Sequence, residues 1–272
     1  MRLFLIALTV AFAVWLPRPP AEGREVPEPV LPVLGVNQAL LSIEPGRFGN
    51  LQHIRTPLPP RSVALTFDDG PDPTYNGRVL DILDARGIKA TFFFVGQYAQ
   101  AHPEQVREVV RRGHNVGSHS WSHPTRLRHL SPDAQVREVR RGYEALEAAL
   151  ADSPPEERAR LEPMFRFPGL GEGAFMSQWL NRRGIIVVSA EGGTDDWRGY
   201  SASSITRVAL TVIEENQGGL LILHETRPQM IRALPGLLDE LSARGFTFVQ
   251  ITAGADGSDH ALTVDDAVLT LK

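Results

Sequence analysis

Residues 62–71, SVALTFDDGP, contain the pattern from which the fold can be predicted. The apolar run at 63–67 predicts a buried strand, and two aspartates followed by a Gly-Pro turn end it. A helical pattern follows at 76–85, and a second apolar run follows at 90–95. Strands that alternate with helices in this way favour a parallel sheet, either open or closed into a barrel.

The same alternation continues along the chain as far as residue 251. With the two runs above, the strand predictions number seven, and the others lie at 115–118, 164–167, 185–189, 220–223 and 246–251. Further amphipathic helical patterns lie between them, at 103–112, 133–150, 175–183, 203–215 and 230–243. Several helical patterns are followed closely by a glycine that can end the last turn: Gly87, Gly113, Gly184 and Gly245.

The composition is that of a globular protein without a basic surface. The 272 residues are 42% hydrophobic and 22% charged, and 28 Lys and Arg against 32 Asp and Glu give a net charge of −4. Nucleic acid is not an expected partner, because no basic field exists to displace counterions from a phosphate backbone. The chain has no cysteine, which excludes disulfides, thiolate zinc sites and a cysteine nucleophile. Any metal ion must be held by His, Asp or Glu.

The N-terminus carries an export pattern. Arg2 precedes an apolar run at 3–16, which is shorter than the ~20 residues of a membrane-spanning helix and suits a signal-peptide core. We expect residues 1–16 to be a signal peptide, with a short N-terminal anchor as the alternative. In either case the rest of the protein would lie outside the cytoplasm, in the periplasm, the cell envelope or the extracellular space. The anchor alternative would make residues 17–60 a membrane tether.

Residues 17–60 are predicted to be a Pro-rich linker and N-terminal extension, since ten of the 21 prolines fall within residues 1–60. We expect residues 33–60 to cover the outside of the domain without forming a regular element. The last segment, 253–272, is rich in Asp, Gly and Ser near its start and is predicted to be a frayed tail or short cap.

Polar side chains follow five of the predicted strands at the point where each strand ends. In chain order these are Asp68 and Asp69, His119 and His123, Arg166, the loop 191–197, and His224. The loops at the carboxyl ends of parallel strands converge on one face of the fold. We therefore expect these side chains to form a single site.

His119 and His123 are spaced for a metal site. On a helical turn, two imidazoles four residues apart lie on one face and can bind zinc or a similar ion, although a surface pair is the alternative. The side chains of Asp68 and Asp69 point to different sides of the backbone, so one can face a metal and the other a water molecule. The alternative is that Asp-Asp-Gly-Pro is an ordinary turn. Two His and one Asp would leave coordination positions open, as in catalytic metal sites.

Two further residues have both a functional and a structural interpretation. His224 ends an apolar strand and can act as a proton donor there, or it is a buried histidine bonded to the backbone. Arg166 can orient a carboxylate from a buried position, or it is a surface arginine before a turn. The acidic residues of the loop 191–197 either belong to the site or only line the loop.

These motifs, in this order, resemble those of the NodB-type polysaccharide deacetylases, which form carbohydrate esterase family four. The five matching segments are 66–70, 119–123, 166–168, 191–197 and 222–224. The resemblance covers residues 61–252 and implies that this segment is a catalytic domain with an α/β fold, a distorted (β/α)7 barrel.

The resemblance also implies roles for individual residues. The implied catalytic base is Asp68, and Arg166 is the residue that positions it. The implied proton donor is His224, with Glu191 as its hydrogen-bond partner. The implied ligands of one divalent metal, zinc or alternatively Co, Ni or Mn, are Asp69, His119 and His123. The implied substrate and oxyanion pocket contains Pro168, Gly169, Trp197 and Ile222. This sequence departs from the family pattern at Gly169, at Ile222 and at Glu191, where an Asp is usual.

The function that the resemblance implies is metal-dependent hydrolysis. The expected reaction removes acetyl groups from N-acetylated sugars of an exported or cell-wall polysaccharide, with peptidoglycan as the leading substrate, and releases acetate. The expected partner is a glycan polymer or oligosaccharide, and the expected state is a monomer. The alternatives are an O-acetyl esterase for a xylan-type polysaccharide and a non-catalytic glycan-binding relative.

Overall fold

The computed structural model describes the backbone of residues 37–41 and all of residues 58–253. The signal peptide or anchor predicted at 1–16, most of the linker at 17–60 and all but the first residue of the tail at 253–272 lie outside these ranges. None of the helices within 58–253 combines the length and the hydrophobicity needed to cross a bilayer.

The described part of the chain contains nine strands, and all seven predicted strands are among them. They are β1 (Asn37–Leu41), β2 (Ser62–Asp68), β3 (Thr91–Phe94), β4 (Asn115–Ser118), β5 (Leu161–Phe165), β6 (Ile186–Val187), β7 (Gly192–Gly193), β8 (Gly219–His224) and β9 (Thr247–Ala253). The expectation that 33–60 forms no regular element is wrong for β1. This strand exists because its main chain pairs in parallel with β9, a long-range contact that the side chains of NQALL do not signal.

Eight α-helices lie in the same part of the chain, and they include the six predicted ones. They are α1 (Asn76–Asp84), α2 (Gly96–Ala101), α3 (Pro103–Arg111), α4 (Pro132–Leu150), α5 (Pro155–Arg158), α6 (Ala174–Asn181), α7 (Ala202–Asn216) and α8 (Pro228–Ala243). The side chains of Ser131 and Ser201 cap the N-termini of α4 and α7. Gly87 and Gly245 take φ values of 62° and 77° just beyond α1 and α8, which is the conformation that glycine permits at a helix end.

Every strand pairing is parallel, and β2 lies at the centre of the sheet. The order runs β1-β9-β2-β3-β4-β5-β6, while β8 pairs with β2 on one side and with β7 on the other. No pairing joins β6 to β7 among the described residues, so the sheet forms a half-barrel surrounded by helices. This architecture confirms the predicted distorted (β/α)7 barrel.

Alternation of side chains along β2 separates the core from the barrel interior. Leu65 and Phe67 pack in the main hydrophobic core with apolar side chains of the helices. Thr66 and Asp68 have the opposite parity, and both contact the buried Arg166. Strand geometry therefore places Asp68 inside the barrel, at the carboxyl end of its strand.

Polar contacts hold β9 against the amino ends of the neighbouring strands. The Asn115 amide donates to the Ile251 carbonyl and to Glu162 Oε1, each at 3.0 Å. The Gln250 amide donates to the carbonyl of Ala90 at 3.2 Å. These bonds close the end of the barrel opposite the polar strand ends, so the candidate site lies at the carboxyl end.

Candidate active site

Asp69, His119 and His123 come together at the carboxyl ends of β2 and β4. Oδ1 of Asp69 is 3.5 Å from Nε2 of His119 and 3.1 Å from Nε2 of His123. One ligand atom from each of the three residues lies within 4.8 Å of the others. A carboxylate and two imidazoles are a donor set that zinc and similar divalent ions accept, and three protein ligands leave a position open for water or substrate.

A loop, and not the helical turn suggested by the spacing, brings the two histidines together. Residues 119–123 are irregular, and Ser120 and His123 have φ values of 68° and 56°. The His123 N–H donates to Oγ of Ser120 at 3.2 Å, and the N–H and hydroxyl of Ser122 both donate to Glu138 of α4. The two imidazole rings end 4.8 Å apart, centroid to centroid.

The surroundings of this cluster prepare it to hold a cation. The His119 Nδ1–H donates to the carbonyl of Arg166 at 2.8 Å, which leaves the lone pair of Nε2 facing Asp69. Burial acts to raise the pKa of Asp69, but interactions with the imidazoles of His119 and His123 outweigh it and hold the pKa well below its usual range. The carboxylate is therefore ionised, and these residues fit a divalent metal ion.

Asp68 is held by Arg166 beside the cluster. The Arg166 guanidinium donates through one nitrogen to Oδ1 of Asp68 and to Oγ1 of Thr66, each at 2.7 Å. The other oxygen of Asp68, Oδ2, lies 3.9 Å from Nε2 of His119. One carboxylate oxygen is thus fixed by the arginine, and the other faces His119 of the cluster.

Arg166 is fully buried, and its remaining donors are also used. It donates to the carbonyls of Val188 and Ser189 at 3.2 and 2.9 Å, and its guanidinium lies 4.2 Å from the centroid of the Phe93 ring. Burial lowers the pKa of Arg166, while the charge of Asp68 acts to raise it. The arginine is therefore an internal part of the barrel, as the functional interpretation of its sequence position requires.

His224 is paired with Asp196. Its Nδ1–H donates to Oδ1 of Asp196 at 2.6 Å, and its backbone N–H donates to Oδ2 at 2.8 Å. Its Nε2 is 4.0 Å from Oδ2 of Asp69. Burial acts to lower the pKa of His224, but the hydrogen bond and charge of Asp196 outweigh it, and the pKa is raised.

The predicted pairing of Glu191 with His224 is therefore wrong, and the strand register explains why. Gly192 of β7 lies opposite Leu221 of β8, and the Glu191 N–H donates to the Leu220 carbonyl. The Glu191 carboxylate in turn accepts the Leu220 N–H. Leu220 precedes His224 by four residues, roughly 13 Å at ~3.3 Å per residue. Glu191 therefore lies beside the amino end of β8, too far from His224 to bond to it. Its charge instead acts to raise the pKa of Arg166.

The predicted pocket residues lie in three places. Pro168 and Gly169 form a short 3-10 turn after β5, in which Gly169 has a φ of 57°. Trp197 follows Asp196 in the loop after β7, and 54% of its surface is exposed. Ile222 is buried inside the barrel, two residues before His224. Trp197 is thus the sequence neighbour of Asp196, which binds His224, and Ile222 lies below His224 on the same strand.

Sequence reasoning missed Glu225, which follows His224 and is fully buried. Its Oε1 accepts the N–H of Asp72 at 3.2 Å, and a Cβ at Gly70 would lie 1.8 Å from the same atom. Burial raises the pKa of this carboxyl well above its usual range. Glu225 thus packs behind the Asp-Asp-Gly-Pro turn, and position 70 has no space for a side chain. No pattern in the sequence indicates this contact.

The site matches known proteins in sequence and in structure. Residues 55–174 match the family model described as polysaccharide deacetylase. A Bacillus cereus peptidoglycan-N-acetylglucosamine deacetylase is 31% identical over 195 residues, which cover 70% of this chain and 66% of that protein. A chitooligosaccharide deacetylase of Sinorhizobium fredii is 31% identical over 199 residues, which cover 68% of this chain and 87% of that protein.

A solved structure, the Bdellovibrio bacteriovorus peptidoglycan deacetylase, aligns with a TM-score of 0.71 and 27% identity, covering 84% of this chain and 62% of that one. The chain thus spans just under two thirds of both peptidoglycan deacetylases. Fold, site and comparisons together define an α/β half-barrel of the type found in these deacetylases. The chain belongs to the polysaccharide deacetylase family, as its motifs predict.

Proposed function

We propose that this protein is a metal-dependent hydrolase that removes acetyl groups from N-acetylated sugars of a polysaccharide, with peptidoglycan as the substrate. The observation that carries the proposal is the placement of two proton-transfer groups beside one metal-ligand cluster. Asp68 Oδ2 and His224 Nε2 lie 3.9 and 4.0 Å from His119 and Asp69, which are two of the three ligands.

Asp69, His119 and His123 would hold the ion. When bound there, a divalent ion such as zinc supplies Lewis-acid polarisation of the acetyl carbonyl and lowers the pKa of a water molecule. The Nδ1–H of His119 donates to the Arg166 carbonyl, which leaves Nε2 available as a ligand atom, and the Asp69 carboxylate is ionised.

Asp68 is the general base of the proposed reaction. Its Oδ1 is occupied by Arg166, so Oδ2 accepts the proton of the water that attacks the acetyl carbon. Because Arg166 is itself fixed by four further contacts, the carboxylate cannot rotate away from this position. The arginine is a positioning residue and does not touch the substrate.

His224 is the proton donor. Asp196 binds Nδ1–H and raises the pKa of the ring, so Nε2 carries a proton that it gives to the departing nitrogen. The C–N bond breaks, the oxygen of the water remains on the acetyl carbon, and the products are acetate and a free amino sugar. All these groups come from one chain, which supports a monomeric enzyme.

Two lines of support favour peptidoglycan. One sequence relative and one solved structure carry the name peptidoglycan deacetylase, although a chitooligosaccharide deacetylase is equally similar in sequence. The signal pattern at residues 1–16 supports export to the periplasm, cell envelope or medium, where peptidoglycan is accessible. Uncleaved, the same segment would tether the enzyme to the membrane.

The test is acetate release by the purified full chain, loaded with zinc, from three substrates. Purified peptidoglycan strands and chitotetraose present acetamides, and acetyl-xylan presents acetyl esters. The proposal expects release from the peptidoglycan strands, with loss of activity in chelator and recovery on adding zinc. Release from acetyl-xylan alone would indicate the esterase alternative. No release from any substrate by the metal-loaded chain would indicate the non-catalytic alternative.

A further inference from the structure

The cleft that opens beside the metal ligands contains two side chains that the hydrolysis does not use. This cleft, of about 420 Å³, is lined by Asp69 and His123 and also by Tyr98 and Arg227. Such a volume is in the range of small-ligand sites. The cleft therefore has space for a part of the substrate beyond the acetyl group.

Arg227 brings an unpaired cation to this cleft. It lies three residues after His224, and its backbone N–H donates to the His224 carbonyl at 3.1 Å. Its side chain is exposed and makes no hydrogen bond or ion pair with any residue of 58–253. Several arginines elsewhere on the surface, such as Arg86 and Arg112, are paired with aspartates. Since it has no partner within this part of the chain, the Arg227 guanidinium can bind an anion.

Asp69 and Asp72 also line the cleft, and no ion pair joins either of them to Arg227. The Asp69 carboxylate is directed at His119 and His123. Oδ1 of Asp72 accepts the N–H of Thr74 at 2.7 Å. A carboxylate of the substrate could therefore bind the guanidinium in the two-pronged geometry that arginine favours.

Tyr98 brings an aromatic surface to the same cleft. It lies on α2, directly after β3, and half of its surface is exposed. Tyr98 is one of five large apolar side chains that are exposed in 58–253, the others being Leu130, Phe175, Trp197 and Tyr200. Tyr98 is the member of this set that lines the cleft.

We propose that the cleft binds the sugar next to the one being deacetylated, and that Arg227 selects an acidic substituent on that sugar. Tyr98 packs against the apolar face of the ring. In peptidoglycan every second sugar carries a lactyl ether, whose carboxylate is free in strands stripped of peptide. This inference rests on the proposed function and names the residue that distinguishes an acidic glycan from neutral chitin.

The test compares two tetrasaccharides as substrates of the zinc-loaded full chain. One is a peptide-free strand of alternating N-acetylglucosamine and N-acetylmuramic acid, and the other is chitotetraose, which has no acidic group. We expect the ratio of kcat/KM for the acidic over the neutral substrate to fall roughly tenfold in Arg227→Gln, the size of effect expected for a lost charge-assisted hydrogen bond. In Arg227→Glu the ratio should fall further.

Arg232→Gln is the matched control, because Arg232 is an exposed arginine on α8, the helix that Arg227 precedes, and is bonded to Gln229 outside the cleft. Its ratio should equal that of the parent. Amidation of the lactyl carboxylates should lower the ratio of the parent to that of Arg227→Gln. An equal ratio in the parent and Arg227→Gln would overturn the inference.

Calorimetric binding of both tetrasaccharides separates this inference from the proposed function. If the parent releases no acetate, the proposed function fails, while the Kd values still decide the role of Arg227. A preference of the parent for the acidic strand that disappears in Arg227→Gln supports the inference. Equal Kd values in the parent and the variant overturn it. Tyr98→Ala should weaken binding of both tetrasaccharides, since ring packing does not depend on the acidic group.

Discussion

Both oxygens of the Asp196 carboxylate bind His224, one at the ring Nδ1 at 2.6 Å and the other at the backbone N–H at 2.8 Å. A single side chain thus fixes the imidazole and the strand end that carries it. The loop after β7 and the carboxyl end of β8 are joined at the position where the proposed proton donor lies.

Asp196→Asn removes the charge and nearly preserves the shape. Because Asp196 raises the pKa of His224, its loss should lower that pKa, and the donor should lose its proton at lower pH. We expect the alkaline limb of the pH-rate profile to move to lower pH. The maximal rate on an amide should fall roughly 10- to 100-fold, and the rate on an ester should fall less, since an alkoxide needs protonation less than an amine.

Glu191→Gln is the matched control for this change. It also neutralises a carboxylate near the barrel interior, but Glu191 bonds to Leu220 and lies far below His224. Its alkaline limb should coincide with that of the parent. A shift in Glu191→Gln with none in Asp196→Asn would contradict the pairing described above.

Removal of a metal ligand should abolish both metal content and activity. Elemental analysis of the parent should give about one divalent ion per chain, and a chelator should inactivate it reversibly. His123→Ala removes a partly exposed ligand and should lose the ion while keeping the far-ultraviolet circular dichroism of the parent. Full activity in a metal-free sample would disprove the site assignment.

Asp68→Asn should separate metal binding from catalysis. Asp69 and the two histidines are untouched by this substitution, so the metal content should match that of the parent. Turnover should fall by a factor on the order of 10²–10⁴, the usual contribution of a positioned general base. Steady-state kinetics on one acetylated oligosaccharide, with elemental analysis of the same sample, checks both parts. Turnover near that of the parent would mean that another group activates the water.

Arg166→Ala should impair folding as well as turnover. The guanidinium is fully buried, and its loss leaves the Asp68 carboxylate buried without its partner. Breaking a buried ion pair in this way costs about 3–5 kcal/mol in the free energy of unfolding. Urea denaturation should detect this loss. Arg232→Ala, an exposed arginine on α8, should remain within ~0.5 kcal/mol of the parent.

His114 should make the fold sensitive to acid. Burial and the charge of Lys89 lower its pKa to about 3, far below the usual 6.5. A depressed pKa means that the neutral ring stabilises the fold fully above pH 6.5, and that this contribution is lost as the pH falls from 6.5 towards 3. His114→Asn does not titrate and keeps an acceptor for the Ala90 N–H, which bonds to Nδ1 at 3.1 Å.

The free energy of unfolding, measured by urea at several pH values in chelator, should therefore fall more steeply below pH 6.5 in the parent than in His114→Asn. The difference in slope should not exceed ~1.4 kcal/mol per pH unit, the limit for one proton. His129→Asn, at an exposed position, should follow the parent. Parallel curves for the parent and His114→Asn would show that His114 does not control this dependence.

The main strands and helices could be predicted because their side chains repeat with the period of the element. The strands β1 and β7 could not, since NQALL and a pair of glycines have no such period and are strands only through main-chain pairing. The contact between His119 and His123 was predicted from helical spacing, yet a loop with positive φ values at two residues produces it. The spacing correctly predicted that the two imidazoles meet, but the helical turn inferred from it is absent.

Within the site, the residues that end predicted strands could be found from the sequence, because the carboxyl ends of parallel strands share one face. The choice between Glu191 and Asp196 depended on the register of β7 against β8, which two glycines do not encode. Arg227 and Tyr98 could not be identified for a related reason. Neither belongs to a pattern, and only the assembled loops bring them to one cleft.

The pairing of β2 with β8 places Asp68 directly opposite His224, although their strands are the second and the eighth in the chain. During synthesis, at ~5–20 residues per second, His224 follows the last metal ligand, His123, by roughly 5 to 20 s. A nascent chain that ends after His123 therefore contains every proposed metal ligand but not the proposed proton donor, and one edge of β2 has no neighbour. When β8 is added, it covers that edge and brings the proposed donor in the same step. A chain truncated before β8 should therefore be inactive.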